Sequence, residues 1–325
     1  MPGGTSGNGW VTCAQGHQHW GLFGAAGLLV YVPHPTNQAP SLVLLQHRSQ
    51  WSHQGDTWAL PGGAMDSEET PAEAALREAD EECMLDPKLV VPRGLYLDEH
   101  GGWTYHTVLA QAAEPLRVRS DTYESDEAVW LPAGEVDRLD LHPGFAASWP
   151  ALRASLQPLT VFVDGTGTVG AQAGSADPAD AGRRLHAQLS ELAHSGVTLP
   201  PGAVPAPALA RWYPDYVVVL SDAAAAAAAS SAAAGKARGA SPAPRFSWNQ
   251  PLTVRTAEIR IIAVADGAQA SDVITDLAGS TPGHRLVASD RGTVRDRAAA
   301  AGAAVTDLNW LLGQPPPAPG PSSEP

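Results

Sequence analysis

Cysteine is nearly absent from this chain, with Cys13 and Cys83 the only two in 325 residues. Two thiols cannot build a disulfide framework, which excludes a small stapled secreted fold and fits a reducing compartment. Basic side chains are also scarce. Lys and Arg number 20 against 34 Asp and Glu, and the resulting formal charge of −14 argues against nucleic-acid binding by bulk charge. The deficit is uneven: residues 1–150 hold 7 basic and 20 acidic side chains, whereas residues 151–325 hold 13 and 14. Long apolar runs are missing. The longest, Gly21 to Pro33, is too short for a membrane span, and no basic side chain precedes Arg48 to form a cationic leader. The expectation is a cytoplasmic protein with no membrane partner.

What is present is a globular composition, 44% hydrophobic and 17% charged, in a chain long enough for two domains. Residues 1–9 are Gly-rich and predicted to be flexible. Strand-like runs at 27–32, 41–46, 91–97, 104–110 and 128–131, with helices at 71–83 and 145–156, organise a first domain over 10–157. The second, 158–312, repeats strand and helix: strands at 159–164, 216–221, 258–264 and 285–289 alternate with helices near 179–193, 270–278 and 292–301. That rhythm predicts a parallel α/β sheet covered on both faces. The Ala-rich stretch 223–244 lacks an apolar stripe and is read as a loosely held insertion. The Pro-rich segment 313–325 is expected to be disordered.

The helix at 71–83 carries the first chemistry. Thr70, Pro71 and Glu73 form a capping box with proline at the first helical position. Ala72, Leu76, Ala79 and Cys83 make an apolar seam at spacings of four, three and four. Off that seam stand Glu78, Glu81 and Glu82, within an arc of about 100° on the helical wheel. Such like charges repel by a few tenths of a kcal/mol per pair in solvent, and Arg77, four residues before Glu81, offsets part of this. Three all-oxygen side chains crowded without structural gain point to a missing cation, Mg²⁺ or Mn²⁺ rather than zinc.

The run from Gly63 through Glu69 to Arg77-Glu78-Ala79-Asp80-Glu81-Glu82-Cys83 resembles the Nudix box, and Trp58-Ala59-Leu60-Pro61-Gly62-Gly63 resembles the family's lead-in. Met84 departs from it, standing where the family has a glycine that would supply a left-handed cap; Pro87 can still stop the helix. The resemblance covers about residues 10–150 and implies an α/β/α sandwich with a mixed sheet. It also implies hydrolysis of a phosphoanhydride in a nucleoside diphosphate-linked small molecule. By the same resemblance Glu78, Glu81, Glu82 and the Gly63 carbonyl would bind the metal, Arg77 would orient the glutamates, and Glu69 would brace the loop.

Glu124 and Glu127 could add a ligand or a base, though plain surface carboxylates are the simpler reading. Cys13, His17 and His19 suggest zinc, but no second pair of soft ligands lies nearby in sequence, so they read as strand-edge residues. In the second half, Asp164, Asp272 and Asp290 fall at the carboxyl edge of the expected parallel sheet, where ligands sit. Asp222, ending a fourth strand, is a weaker candidate. Val163-Asp164-Gly165 and Ala288-Ser289-Asp290-Arg291 resemble the NYN domain, a PIN-like nuclease class. This implies a PIN/Rossmann-like fold, with RNA as a partner and Asp164, Asp272 and Asp290 as its acidic site. Gly167 and Ser271-Asp272 depart from that family's pattern. The alternatives to a hydrolase are an RNA nuclease regulated by a nucleotide-sensing first domain, and a non-catalytic nucleotide or RNA binder.

Overall fold

A computed structural model describes residues 5–34, 41–120, 125–166, 177–204, 209–239, 257–265 and 267–314. The chain opens with a hairpin, β1 (Trp10–Thr12) and β2 (Gln18–Trp20). The first sheet then takes β3 (Ala25–Val32), β4 (Leu42–Arg48), β5 (Trp58–Ala59) and β6 (Gly62–Ala64). After helix α1 (Pro71–Cys83) it adds β7 (Val90–Glu99), β8 (Thr104–Ala112) and β9 (Ser125–Pro132). β3 runs parallel to β8 and antiparallel to β4 and β6, so the sheet is mixed.

Alternation along β3 sorts its two faces. Ala26, Leu28 and Val30 join the buried seam of α1, including Leu76 and Ala79, in one core. Leu29 and Tyr31 face the opposite way, toward Phe145, Trp149 and Leu152 of helix α2 (Pro143–Arg153). Fully burying a side chain such as Leu76 contributes about 2 kcal/mol, so the 4-3-4 seam fixes which face of α1 turns inward.

The second half has β10 (Leu159–Asp164), helix α3 (Pro178–Ser195), β11 (Arg211–Trp212) and β12 (Asp215–Ser221). Helix α4 (Asp222–Gly239), β13 (Ile259–Val264), α5 (Gly267–Ser280), β14 (His284–Ala288), α6 (Gly292–Ala300), β15 (Ala304–Thr306) and α7 (Leu308–Leu312) follow. Its sheet is parallel, in the order β13-β12-β10-β14-β15. Strand order therefore reverses between β10 and β14. β11 leaves this unit and pairs antiparallel with β7, extending the first sheet.

Two expectations are corrected. The Ala-rich stretch is helical through Gly239, with Ala224, Ala225 and Ala228 buried on the core that α3 also faces. A stripe of methyl groups is still a stripe, and close helix approach makes up for small side chains. Residues 240–244 of that stretch lie outside the described residues. Residues 5–9 are pinned rather than frayed: Thr5 N–H donates to Ser67 Oγ at 2.9 Å and Gly7 N–H to Asp66 Oδ1 at 2.8 Å. Residues 1–4 and most of the Pro-rich tail, 315–325, lie outside the described residues, while Gln314 Oε1 accepts from Thr198 N–H at 3.0 Å. No described helix is long and apolar enough to cross a membrane.

Candidate active site

The capping box forms as the sequence predicts. Thr70 accepts from Glu73 N–H, and the Glu73 carboxylate accepts from Thr70 N–H at 2.9 Å. The far end closes without glycine. Met84 itself adopts φ 52°, ψ 35°, and its N–H reaches Asp80 O while Leu85 N–H reaches Ala79 O.

Between these caps the charged side chains gather on Arg77. Its Nε and Nη2 donate to the two oxygens of Glu69 at 2.6 and 2.8 Å, a bidentate pair. Nη1 donates to Glu78 Oε1 at 2.7 Å and Glu81 Oε2 at 3.3 Å, while Nη2 also reaches the Ala64 carbonyl at 3.0 Å. One guanidinium thus ties the helix to the preceding loop. Burial works against ionising Glu69, but the Arg77 hydrogen bonds, the Asp66 amide and the Arg77 charge together outweigh it and hold that carboxyl below the usual range. Hydrogen bonding to Glu69, then Glu78, raises Arg77 further against its own burial.

Glu82 is a separate case. Only 5% exposed, it sits beside the apolar seam. Its Oε2 accepts from Gly62 N–H at 2.8 Å and from Gln46 Nε2 at 3.0 Å. Gln46 in turn accepts from the Cys83 thiol at 3.6 Å, and burial followed by the Glu82 charge pushes that thiol up to about 12. The acidic cluster therefore has more structural gain than the helical wheel suggests, because Arg77 and the Gly62 amide compensate most of it.

Two glycines shape the loop opposite the helix. β6 pairs Gly62 with Gly27 and Gly63 with Ala26 of β3. A Cβ on Gly63 would stand 2.5 Å from Glu78 Oε1 and 2.6 Å from its Cδ, so the Glu78 carboxylate lies directly over the Gly63 Cα. Sequence reasoning missed Gln46 and Tyr105. Burial, then the charges of Glu82 and Glu78, raise the Tyr105 phenol, which places it in the field of the same carboxylates. A glutamine interrupting the apolar run Leu42–Leu45 was the available signal for Gln46.

The NUDIX domain family model matches residues 24–152. Putative 8-oxo-dGTP diphosphatase 3 of Mycobacterium tuberculosis (strain ATCC 25618 / H37Rv) is 47% identical over 163 residues, covering 48% of this chain and 72% of that protein. The chain belongs to the Nudix family. It is a Nudix pyrophosphohydrolase, with an additional parallel α/β region beyond the matched segment. A nucleoside triphosphate pyrophosphatase/Nudix hydrolase fusion protein of Bifidobacterium longum (strain NCC 2705) is 38% identical over 155 residues, 47% of this chain and 32% of that one. Among solved structures, a Nudix hydrolase from M. smegmatis, RenU, is 48% identical and covers 45% of this chain and 93% of that one, with a TM-score of 0.42.

The remaining candidates that are described sit on other elements than α1. Glu127 is exposed on β9, across from His47, and Glu124 lies outside the described residues. In the parallel sheet, Asp164 is 2% exposed at the end of β10. Its Oδ2 accepts from Ser289 Oγ at 2.6 Å and Arg291 Nε at 2.8 Å, and its Oδ1 from Thr166 Oγ1 at 2.9 Å. Arg291 Nη2 also stands 2.8 Å from Oδ2, as an ion pair without hydrogen-bond alignment. Asp272 does not open its helix, which begins at Gly267; it is exposed and pairs with Arg297 at 2.8 Å. Asp290 accepts from Leu308 N–H at 3.0 Å, and Arg291 takes the N-cap position of α6 in its place. Asp222 is exposed at the start of α4. Cys13, His17 and His19, read as strand-edge residues because no second pair of soft ligands lies nearby in sequence, are joined by His100 from far along the chain.

Proposed function

We propose that this Nudix enzyme hydrolyses a phosphoanhydride bond in a nucleoside diphosphate-linked substrate, using Mg²⁺ or Mn²⁺ held by Glu78, Glu81, Glu82 and the Gly63 carbonyl. The observation that carries this reading is the convergence of two carboxylates on one glycine loop. Glu82 is fixed from the Gly62 amide and Glu78 lies over Gly63. The donor set is hard oxygen throughout, which suits those ions. When bound, the cation supplies charge neutralisation for the diphosphate and a lowered pKa for the attacking water.

The protein's own contribution is positioning. Gln46 and Gly62 hold Glu82 oriented, so this carboxylate does not reorganise as substrate enters. Arg77 holds Glu78 and Glu81 while Glu69 locks Arg77, so Glu69 acts through the guanidinium. The diphosphatase name of the M. tuberculosis relative adds damaged nucleoside triphosphates to the substrates worth assaying. For the parallel half, the pairing of Arg291 with Asp164 favours a structural role for that carboxylate over metal-dependent RNA cleavage.

The test is a panel of nucleoside diphosphate derivatives and triphosphates, assayed for phosphate products with and without Mg²⁺, in the wild type and Glu82→Gln. Glutamine keeps an acceptor for Gly62 and Gln46, so the fold should survive while turnover falls by at least about 10²-fold. Wild-type rates in that variant, or turnover indifferent to divalent cations, would remove the assignment.

A further inference from the structure

A second cluster of ligating side chains stands apart from the catalytic helix, at the N-terminal hairpin. Cys13 N–H donates to His17 O and Gly16 N–H to Cys13 O, each at 2.9 Å, closing a tight turn between β1 and β2. The hairpin register pairs Val11 with His19 and Thr12 with Gln18. Because side chains alternate along a strand, Cys13, His17 and His19 share one face. The turn between β7 and β8 docks against them through Ala14 N–H, which donates to Gly101 O at 2.8 Å, and His100 N–H closes that turn on Trp103 O at 2.8 Å. These contacts bring in His100 from a segment more than eighty residues away. One ligating atom from each of Cys13, His17, His19 and His100 lies within 4.8 Å of all the others.

Three further observations set this apart from incidental crowding. Cys13 is buried and not in a disulfide. His19 Nε2 and His100 Nδ1 are buried ring nitrogens with no hydrogen-bond partner among the described residues, each an unfavourable arrangement by about 1–3 kcal/mol if nothing binds there. The rings are held in place from outside. His19 stacks on Trp103 with centroids 4.1 Å apart and planes 12° apart, and His100 Nε2 stands 3.3 Å from Asp98 Oδ2. A carboxylate on one ring nitrogen, leaving the other for a metal, is the usual support for a ligating histidine.

We propose that Cys13, His17, His19 and His100 form a structural zinc site that fastens the N-terminal hairpin to the β7–β8 turn. One thiolate and three imidazoles match zinc, and four protein ligands leave no open position, so the site is structural rather than catalytic. Bond lengths of 2.0–2.3 Å in a tetrahedron put ligand atoms about 3.4–3.8 Å apart, so side-chain rotations moving those atoms by about 1 Å complete the site. The hairpin's lead-in reaches Asp66 and Ser67, beside the loop that carries Glu69. Loss of the metal would therefore loosen the approach to the catalytic helix without touching its carboxylates.

The experiment uses the full chain, purified without chelator and analysed for metal, then stripped and titrated with Co²⁺ as the probe. The expected result is close to one zinc per chain, and with cobalt a thiolate-to-metal charge-transfer band together with intense tetrahedral d–d bands. Both should vanish in Cys13→Ser and persist in Glu78→Gln and Cys83→Ser. Zinc should also raise the thermal midpoint of the stripped wild type. A stripped wild type that takes up cobalt without a sulfur charge-transfer band overturns the proposal, whatever the variants do. So does a band that survives Cys13→Ser.

Discussion

Adding one methyl group at Gly63 should separate catalysis from folding. The Cβ of Gly63→Ala would meet the Glu78 carboxylate at 2.5 to 2.8 Å, where ordinary contact is about 3.5 Å. The carboxylate must retreat by about 1 Å. It can do so, because it is the mobile end of a partly exposed side chain. The structural cost is a strained rotamer and a weakened Arg77–Glu78 hydrogen bond, about 1–2 kcal/mol together. The catalytic cost is larger, since a misplacement of about 1 Å typically lowers rate by about 10²-fold, or about 2.7 kcal/mol of transition-state stabilisation. Gly62→Ala is the control. There the Cβ would meet Ala26 O at 2.5 Å and Gly27 Cα at 2.6 Å, both backbone atoms of a central strand that cannot yield. Overpacking of that kind costs at least about 1–3 kcal/mol in stability. Denaturant midpoints and kcat/KM measured side by side should show Gly62→Ala losing the more stability, while Gly63→Ala loses rate with its fold largely retained. If Gly63→Ala keeps kcat/KM within about twofold of wild type, the position of Glu78 does not govern the reaction and the reasoning fails.

Two further outcomes follow from backbone and charge. Met84, 58% exposed in the left-handed region, should be improved by glycine: Met84→Gly is expected to raise stability by about 0.5–1 kcal/mol. A fall in the denaturation midpoint would instead show that the side chain, which lines a surface groove with Leu116 and Trp130, contributes more than the strain costs. Arg291→Gln should cost about 3–5 kcal/mol by stranding the Asp164 charge, and adding Asp164→Asn should recover most of that loss. Burial opposes ionisation of Asp164, but the hydrogen bonds from Arg291 and Ser289 win and keep its pKa below the ordinary value. The pair's contribution is therefore complete above about pH 4 and lost as pH falls further; a variant and wild type that lose stability in parallel there would refute this account.

Much of the fold was legible because local signals agreed with one another. Thr70, Pro71 and Glu73 mark the start of α1, and the seam of Leu76, Ala79 and Cys83 marks its buried face, so the expected bounds and the observed Pro71–Cys83 coincide. The strand Leu159–Asp164 was equally plain, being a short apolar run ended by an acid. What escaped depends on partners remote in sequence. β11 is two residues long and exists only because the edge of β7 receives it. The burial of Glu82 follows from Gly62 and Gln46, which helical periodicity does not register. His100 reaches Cys13 only through the register of β7 with β8 and the docking of their turn on the hairpin.

That same dependence on remote partners explains why the Nudix part of this chain is not a module detached at residue 157. One continuous core joins Leu29, Tyr31, Leu109 and Trp149 to Val161, Leu185, Trp212 and Leu286. At its margin Arg93 Nη1 donates to Asp215 Oδ1 at 2.7 Å, and that oxygen also accepts Glu258 N–H at 2.8 Å. Arg93 is held in turn by Gln111 at 2.8 Å, so a single side chain links β7, β8 and the second sheet. A mixed sheet needs cover on both faces, and here α1 supplies one layer while α2 and the second unit supply the other. Cutting after residue 157 would expose that apolar face and return the β7 edge to solvent, the two features that most favour association of sheets. The uneven charge of the two halves, acid-rich before residue 150 and nearly balanced after it, therefore surrounds one shared core.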